Sequence, residues 1–418
     1  MGTGQRGSVR SPETSRADRV IGDTANMTEP ASAWYTSAAG MSKAGVDLYP
    51  VTDRAAAKVA DRSSGNVRPA EEREAILANP GFGRYFTDHM VRAEWSTDAG
   101  WDEPELIDYD ALELDPASMF IHYGQSIFEG LKAYRHPDGA LATFRPEANA
   151  VRFVRSARRL AMAELPEDVF LGAVQTLVRA EAEWIVDDPE KSLYLRPVEF
   201  GTEVGLGVRP ANAYTFLLIA SPAGAYFPRG VKPVSVWLST EFVRAAPGGT
   251  GEAKCSGNYA ASLVAQAHAA QQGCDQVVWL DAVERRWVEE MGGMNLMFVF
   301  GQGESARLVT PELTGTLLPG VTRDSLLNLA AHLGIPAGEG RISVEDWQAG
   351  NANGEISEVF ACGTAAVVTP VGSVKSAAGE WTVGDGEPGP ITMRLRHALL
   401  DLQTGRAEDP FGWVHPIG

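Results

Sequence analysis

Strand-like and helix-like segments alternate through both halves of this chain, and the alternation predicts an α/β or α+β fold of two domains. Three observations carry that expectation. At 418 residues the chain has length for two or three domains with ample core. Apolar residues make up 44% and charged residues 22%, the balance of an ordinary globular protein. Near the middle, SPAGAYFPRG packs two prolines and two glycines between strong strand patterns, which places an interdomain linker at 223–232.

Residues 1–70 read as a disordered extension. The first 40 lack the apolar core of a signal peptide. Arg6, Arg10, Arg16 and Arg19 suggest a transit peptide, but Glu13, Asp18 and Asp23 argue against one, and Met27 and Met41 are alternative starts. Order is expected from Glu71, where EEREAILAN predicts a short helix ended by Pro80-Gly81. FTDHMVRAEW, MFIHYGQSIF and GLKAYRHPDGALATF predict strands, the last turning at Pro137-Asp138-Gly139. Residues 147–162 align Ala150, Phe153, Val154 and Ala157, and residues 167–186 align Phe170, Val174, Leu177 and Trp184. Both spacings predict amphipathic helices. SLYLRPVEF and YTFLLIASP close a small domain over 71–222. The larger domain, 233–418, opens with VSVWLS. A helix follows from about Tyr259 to Gln272, then a hairpin run over QVVWLDAVERRWVEEMGGMNLMFVF. Further helices are expected over Leu326–His332 and Ile391–Gln403.

Charge and motifs narrow the function. The 36 Lys+Arg against 54 Asp+Glu leave −18, a surface that repels phosphate backbones and disfavours nucleic acid and anionic membrane as partners. No apolar run approaches a membrane span. Cys255, Cys274 and Cys362 form no CxxC pair, so neither a disulfide framework nor a zinc site is indicated, and a reducing cytoplasm fits. The seven histidines show no metal-binding spacing, and no G-x-S-x-G elbow occurs.

The chemistry concentrates in two segments, KCSGNYAASL from Lys254 and EEMGGMNLMFVF from Glu289. A single lysine is ordinarily a solvated charge. Lys254 instead follows the glycine-rich loop GGTGEA and precedes a helix start, among small neighbours. A P-loop is excluded because Ala253 stands where Gly is required. An amine in a cleft, a carboxylate beside glycines, and turns able to bind an anion are what a pyridoxal phosphate enzyme needs. Lys254 would supply the amine and Glu290 the carboxylate. Strand alternation sends Glu289 and Glu290 to opposite faces, so at most one points inward. Arg145, Arg196 and the turns at Thr316-Leu317 and Gly363-Thr364 are further candidates, each weak alone.

In combination, FTDHM, FEGLKAYR, FRPEAN, YLRP, GLGVRP, SPAGAYF, the lysine segment, EEMGGMN, LLPGVTRDSLL and EVFACGTAAVVTP resemble the branched-chain amino acid aminotransferases in their actinobacterial form, over roughly Pro80 to the C-terminus. The resemblance implies the two-domain fold-type IV architecture, with a small N-terminal α/β domain and a larger domain around a barrel-like β core. It implies pyridoxal 5'-phosphate, a homodimer, and amino transfer between leucine, isoleucine or valine and 2-oxoglutarate. It assigns Lys254 to the Schiff base and the proton shuttle, Glu290 to the pyridine nitrogen and Tyr259 to the phenolate oxygen. Arg145, the backbone of Thr316-Leu317, and Thr364 hold the phosphate. Tyr123 and Arg196, with amides at Thr364-Ala365, take the substrate carboxylates. Phe82, Phe128, Tyr194, Tyr226 and Gly293-Met294 line the side-chain pocket, and Leu206 and Val208 enter from the partner subunit. Ala366-Val367-Val368-Thr369 replaces the redox CxxC of some mammalian relatives, so redox control there is not implied. A D-amino acid aminotransferase or aminodeoxychorismate lyase is the alternative; YLRPVEFGTE and GLGVRP speak against both.

Overall fold

The computed structural model describes residues 42–43 as backbone and residues 48–52, 54–225 and 230–418 with their side chains. The candidate starts Met27 and Met41 lie outside the described residues, as does the 226–229 part of the expected linker.

The strands are β1 (Ser42–Lys43), β2 (Ala60–Asp61), β3 (His89–Ser96), β4 (Gly100–Trp101), β5 (Glu105–Asp108), β6 (Ser126–Phe128), β7 (Leu131–Arg135), β8 (Leu141–Phe144), β9 (Ser192–Gly201), β10 (Ala213–Ala223), β11 (Val234–Ser239), β12 (Gln276–Leu280), β13 (Val288–Met291), β14 (Met294–Phe300), β15 (Arg307–Pro311), β16 (Ala337–Gly340), β17 (Ile356–Gly363), β18 (Val367–Ser376), β19 (Gly379–Thr382) and β20 (Val414–Ile417). The helices are α1 (Ala70–Ala78), α2 (Met119–Tyr123), α3 (Pro146–Arg159), α4 (Glu167–Ala180), α5 (Ser256–Ala260), α6 (Leu263–Gln271), α7 (Val321–His332), α8 (Val344–Asn353) and α9 (Pro390–Gln403).

The first sheet runs β2-β5-β3-β10-β9-β7-β8-β20, with β4 beside β3 and β6 beside β9. Its register sets Leu131 opposite Leu195 and Lys132 opposite Tyr194. Side chains alternate along a strand, so these pairs mark opposite faces. Leu131, Ala133, Leu193 and Leu195 join Phe153, Phe170, Val174 and Leu177 of α3 and α4 in the larger core. Phe128, Lys132, Tyr194 and Arg196 occupy the other face. In the second sheet β14 pairs with β13 and β17, while β11 pairs with β12 and β18. With β12–β13 and β17–β18 this closes a six-stranded barrel, β11-β12-β13-β14-β17-β18.

Several expectations shift in detail. MFIHYGQSIF is not one strand. It opens as α2, and Gly124 closes that helix in the left-handed region at φ 65 before β6 begins. The expected 259–272 helix divides into α5 and α6, and α7 begins five residues before Leu326 because Pro319-Gly320 precedes the helix rather than ending one. The 48–70 tract packs on the fold. Tyr49 is 2% exposed and its hydroxyl donates to the Pro319 carbonyl at 2.6 Å, while β2 pairs with β5. The last strand, β20, returns to β8 of the first sheet, and β1 pairs with β16 of the second.

Glu199 stands out in the first sheet. It is fully buried on the core face of β9, and neither carboxylate oxygen has a hydrogen-bond partner among the described residues. Burial pushes its pKa well above the carboxylate range. The folded state therefore holds a proton that the unfolded chain releases near pH 4.3. The sign follows: the stabilisation is present below about that pH and is lost as pH rises toward the raised folded value. Glu199→Leu should gain about 1–3 kcal/mol at neutral pH, the cost of an unsatisfied buried polar group. It should also flatten the pH dependence above pH 5. Thermal melts of both proteins across pH check this, and an unchanged or lower melting temperature at neutral pH would refute it.

Candidate active site

The Lys254 backbone is held by α3 and by β6 of the first sheet. Its N–H donates to Ser156 Oγ on α3 at 3.0 Å, and its carbonyl accepts the Phe128 N–H of β6 at 3.0 Å. The next residues turn at once into α5, whose Asn258 amide ties back to the Thr250 and Ala253 carbonyls, each at 2.8 Å. The amine is aimed accordingly. Nζ donates to the Tyr259 hydroxyl at 2.8 Å and lies 4.9 Å from the Phe128 ring centroid. The Phe128 and Tyr259 rings stand 4.8 Å apart.

Glu290 comes from the barrel strand β13. Its Oε1 accepts the Leu318 N–H at 2.7 Å and the Asn295 amide at 3.2 Å, and its Oε2 pairs with Arg244 Nε at 2.9 Å. Burial raises its pKa; Arg244, the Leu318 N–H and the nearby Lys254 oppose that rise. Arg244 also donates to the Gly251 and Thr316 carbonyls, so the carboxylate is fixed by a fixed cation. A cavity of about 190 Å³ opens here, lined by Arg244, Tyr259, Glu290, Gly293, Met294 and Leu318. Glu289 takes the opposite face, as alternation requires. It is also buried, and its carboxylate accepts the Thr316 hydroxyl.

The structure gives several of the phosphate candidates other contacts. Arg145 is committed elsewhere: its guanidinium pairs with Asp324 at 2.7 Å, donates to Ser325 at 2.8 Å and to the Tyr49 carbonyl at 3.1 Å, and lies 4.6 Å over the Trp413 ring. Its backbone stands in the left-handed region at φ 51, a strained position that this clasp holds. Thr316 and Leu317 are likewise turned away. The Thr316 hydroxyl and carbonyl serve Glu289 and Arg244, and both residues line a separate cavity with Trp287, Glu289 and Arg341.

Arg152 fits the anion role better. Nearly two turns further along α3, it is buried in a two-bond pair with Glu129 at 2.6 and 2.8 Å, and its Nη1 donates to the Pro319 carbonyl at 3.3 Å. Pro319 leads into α7, whose N-cap is Gly320 with no capping side chain. The first-turn N–H groups of Val321 and Thr322 are therefore donors suited to an anion. Glu129 experiences both Arg152 and Lys254: burial works to raise it, and Arg152 prevails and holds it below its usual range. The FRPEANAVR spacing carried this signal. Pro146 starts the helix, so Arg145 sits at its cap and Arg152 on its buried face.

The substrate-side candidates divide into groups. Arg196 Nη2 donates to the Tyr194 hydroxyl at 3.0 Å, and its guanidinium lies 4.7 Å from the Phe128 ring centroid. Phe82 meets Tyr194 edge-on at 5.0 Å. Gly130 admits the Tyr194 hydroxyl, which a Cβ there would meet at 2.1 Å. Gly293 backs onto the Tyr259 ring, and Met294 packs against Gly363 at the start of the Thr364-Ala365 turn. Tyr123 stands apart from these residues. Its hydroxyl donates to the Leu206 carbonyl at 2.5 Å, and Tyr123, Leu206 and Val208 form an exposed apolar group. Tyr226 lies outside the described residues.

A tyrosine and a buried carboxylate line one cleft, with a lysine held on the tyrosine hydroxyl, and this set belongs with a class of transferase. The model for the amino-transferase class IV family matches residues 126–374, and the chain belongs to that family. Over 354 residues it is 61% identical to the branched-chain-amino-acid aminotransferase of Mycolicibacterium smegmatis, covering 84% of this chain and 96% of that one. Among solved structures, the Escherichia coli branched-chain amino acid aminotransferase superposes with a TM-score of 0.65 at 30% identity, covering 78% of this chain and 99% of that one. A second branched-chain amino acid aminotransferase, solved with pyridoxamine 5'-phosphate, gives a TM-score of 0.63 at 29% identity, covering 78% of this chain and 98% of that one. Within the class IV family the chain is a branched-chain-amino-acid aminotransferase, as the sequence motifs imply.

Proposed function

We propose that the enzyme binds pyridoxal 5'-phosphate at the Lys254–Glu290 cleft and moves the amino group of leucine, isoleucine or valine to 2-oxoglutarate. The carrying observation is the fixed placement of Lys254 Nζ beside the Tyr259 hydroxyl, with the Arg244-anchored Glu290 carboxylate on the barrel side. When bound, the cofactor supplies an aldehyde that accepts the amino group and a ring that withdraws electrons from the substrate Cα. The remaining work falls to this chain. Lys254 Nζ would take the Cα proton and deliver it to the cofactor carbon on the far side of the amino nitrogen. Glu290 keeps a proton on the ring nitrogen. Tyr259 orients both the amine and the ring oxygen. Arg152, with the Val321 and Thr322 amides and Thr364, holds the phosphate, replacing the set built on Arg145, Thr316 and Leu317. Phe82, Phe128 and Tyr194 wall an apolar pocket for the branched side chain. Arg196 is the cation in that wall that tolerates the second carboxylate of glutamate. The exposed Tyr123, Leu206 and Val208 suit a homodimer in which each subunit completes its partner's pocket. Three buried free thiols suit the cytoplasm.

The test is to incubate the purified enzyme with each common L-amino acid plus 2-oxoglutarate and to measure glutamate. Leucine, isoleucine and valine should lead; a preference for D-alanine or no aminotransfer would defeat the proposal. The phosphate assignment has its own test. Arg152→Lys keeps a charge beside Glu129 but loses the planar fork, so the dissociation constant for pyridoxal phosphate should rise about tenfold. Arg145→Lys should lower the melting temperature and leave that constant unchanged. The reverse pattern would restore Arg145 to the phosphate.

A further inference from the structure

We propose that Lys132 is a positioning residue for the substrate carboxylate, acting by holding the main-chain carbonyl of the Thr364-Ala365 turn. The inference rests on the function proposed above and adds a residue to it. Lys132 lies in β7 opposite Tyr194, so its side chain leaves the sheet on the face that carries Tyr194 and Arg196. Its Nζ crosses to the barrel and donates to the Ala365 carbonyl at 3.0 Å. That turn joins β17 to β18 and carries the amides proposed for the carboxylate. Fixing the Ala365 carbonyl fixes the peptide plane it shares with the Ala366 N–H, and restrains the adjoining Thr364-Ala365 peptide through the one residue between them.

Two further observations separate this from an ordinary structural lysine. The neighbouring carboxylate, Glu190, is held by Arg396 in a two-bond pair at 3.0 and 2.7 Å, while the hydrogen bond of Lys132 goes to the turn. The turn itself is strained. Val367, directly after it, is β-branched and buried at φ 59, a backbone region such residues almost never adopt. A strained turn keeps one geometry only if its surroundings over-determine it. Lys132 supplies such a restraint from the opposite sheet. Among the described residues, the titratable groups around the amine are Tyr134, Glu190, Lys191 and Arg396, with Tyr194 across the strand pair. Burial lowers the Lys132 pKa to about 8, with Glu190 opposing and Arg396 adding to the shift. The charge that strengthens the bond to Ala365 is therefore present at neutral pH and lost in mild alkali.

The experiment uses the cofactor-loaded enzyme and 4-methylvaleric acid, which is leucine without its amino group and cannot react. Lys132→Met should raise its dissociation constant about tenfold, the value of one good hydrogen bond. KM for leucine and for 2-oxoglutarate should rise together, because the carboxylate is common to both, while kcat and the cofactor spectrum stay near wild type. Lys132→Arg should restore binding. In the wild type, binding of the acid should weaken as pH passes about 8; in Lys132→Arg it should not, since arginine keeps its charge. The wild-type profile also needs no variant to fold. Unchanged binding in Lys132→Met, or the same alkaline loss in wild type and Lys132→Arg, would overturn the inference. A wild-type enzyme that turned over no branched-chain amino acid would instead overturn the proposed function.

Discussion

Lys254→Ala should reduce turnover by roughly 10⁴-fold, the upper end of what a positioned acid–base group contributes. The expectation is large because one atom has two duties. In the proposed function Nζ would be both the nucleophile that seats the cofactor and the base, and the structure holds it against Tyr259 and Phe128 at hydrogen-bonding and ring-contact distance. Borohydride reduction of the loaded wild type, followed by peptide mapping, should find the pyridoxyl group on the peptide containing Lys254. An adduct on another lysine, or a variant retaining a tenth of wild-type activity, would remove Lys254 from the mechanism. The fold should survive the change. The clamp from Ser156 and Phe128 uses the Lys254 backbone, so a small side chain leaves both hydrogen bonds in place.

Lys254 and Glu290 stand out in the sequence as candidates because each sits in a marked local context: glycines before the lysine, glycines after the carboxylate. The helices α3 and α4 and the hairpin β7–β8 were legible for the same kind of reason, a period or a turn confined to a few residues. What the sequence did not disclose depends on distant segments. Barrel closure requires β14 to pair with β17, far along the chain, and no local pattern specifies that. Arg145 and Arg152 share one short motif, and only the helix start at Pro146 decides which guanidinium faces the core and which clasps Asp324. Arg244 was missed outright. It lies in a loop, RAAPGGTG, and its importance appears only when Glu290 is found against it. Glu199 was missed because YLRPVEF alternates well enough to hide a carboxylate on its buried face.

Glu290→Gln should lower kcat by roughly 10²–10³-fold, the scale of losing one preorganised electrostatic contact in a closed site. The amide keeps the shape of the carboxylate and can still accept the Leu318 N–H. It cannot hold a proton on the ring nitrogen, so the loss should fall on kcat while binding of 4-methylvaleric acid changes little. The pairing with Arg244 complicates a simple reading. Removing the charge at Glu290 leaves the Arg244 guanidinium buried beside a neutral amide, and breaking a buried pair from one side costs about 3–5 kcal/mol. Glu290→Gln should therefore melt earlier than wild type for a reason unrelated to chemistry. The double variant Glu290→Gln with Arg244→Met separates the two effects. It should recover part of the melting temperature, because the orphaned cation is gone, and none of the kcat, because the carboxylate is still absent. If the double variant regained turnover along with stability, the loss in Glu290→Gln would be a folding defect, and another group would have to hold the ring nitrogen.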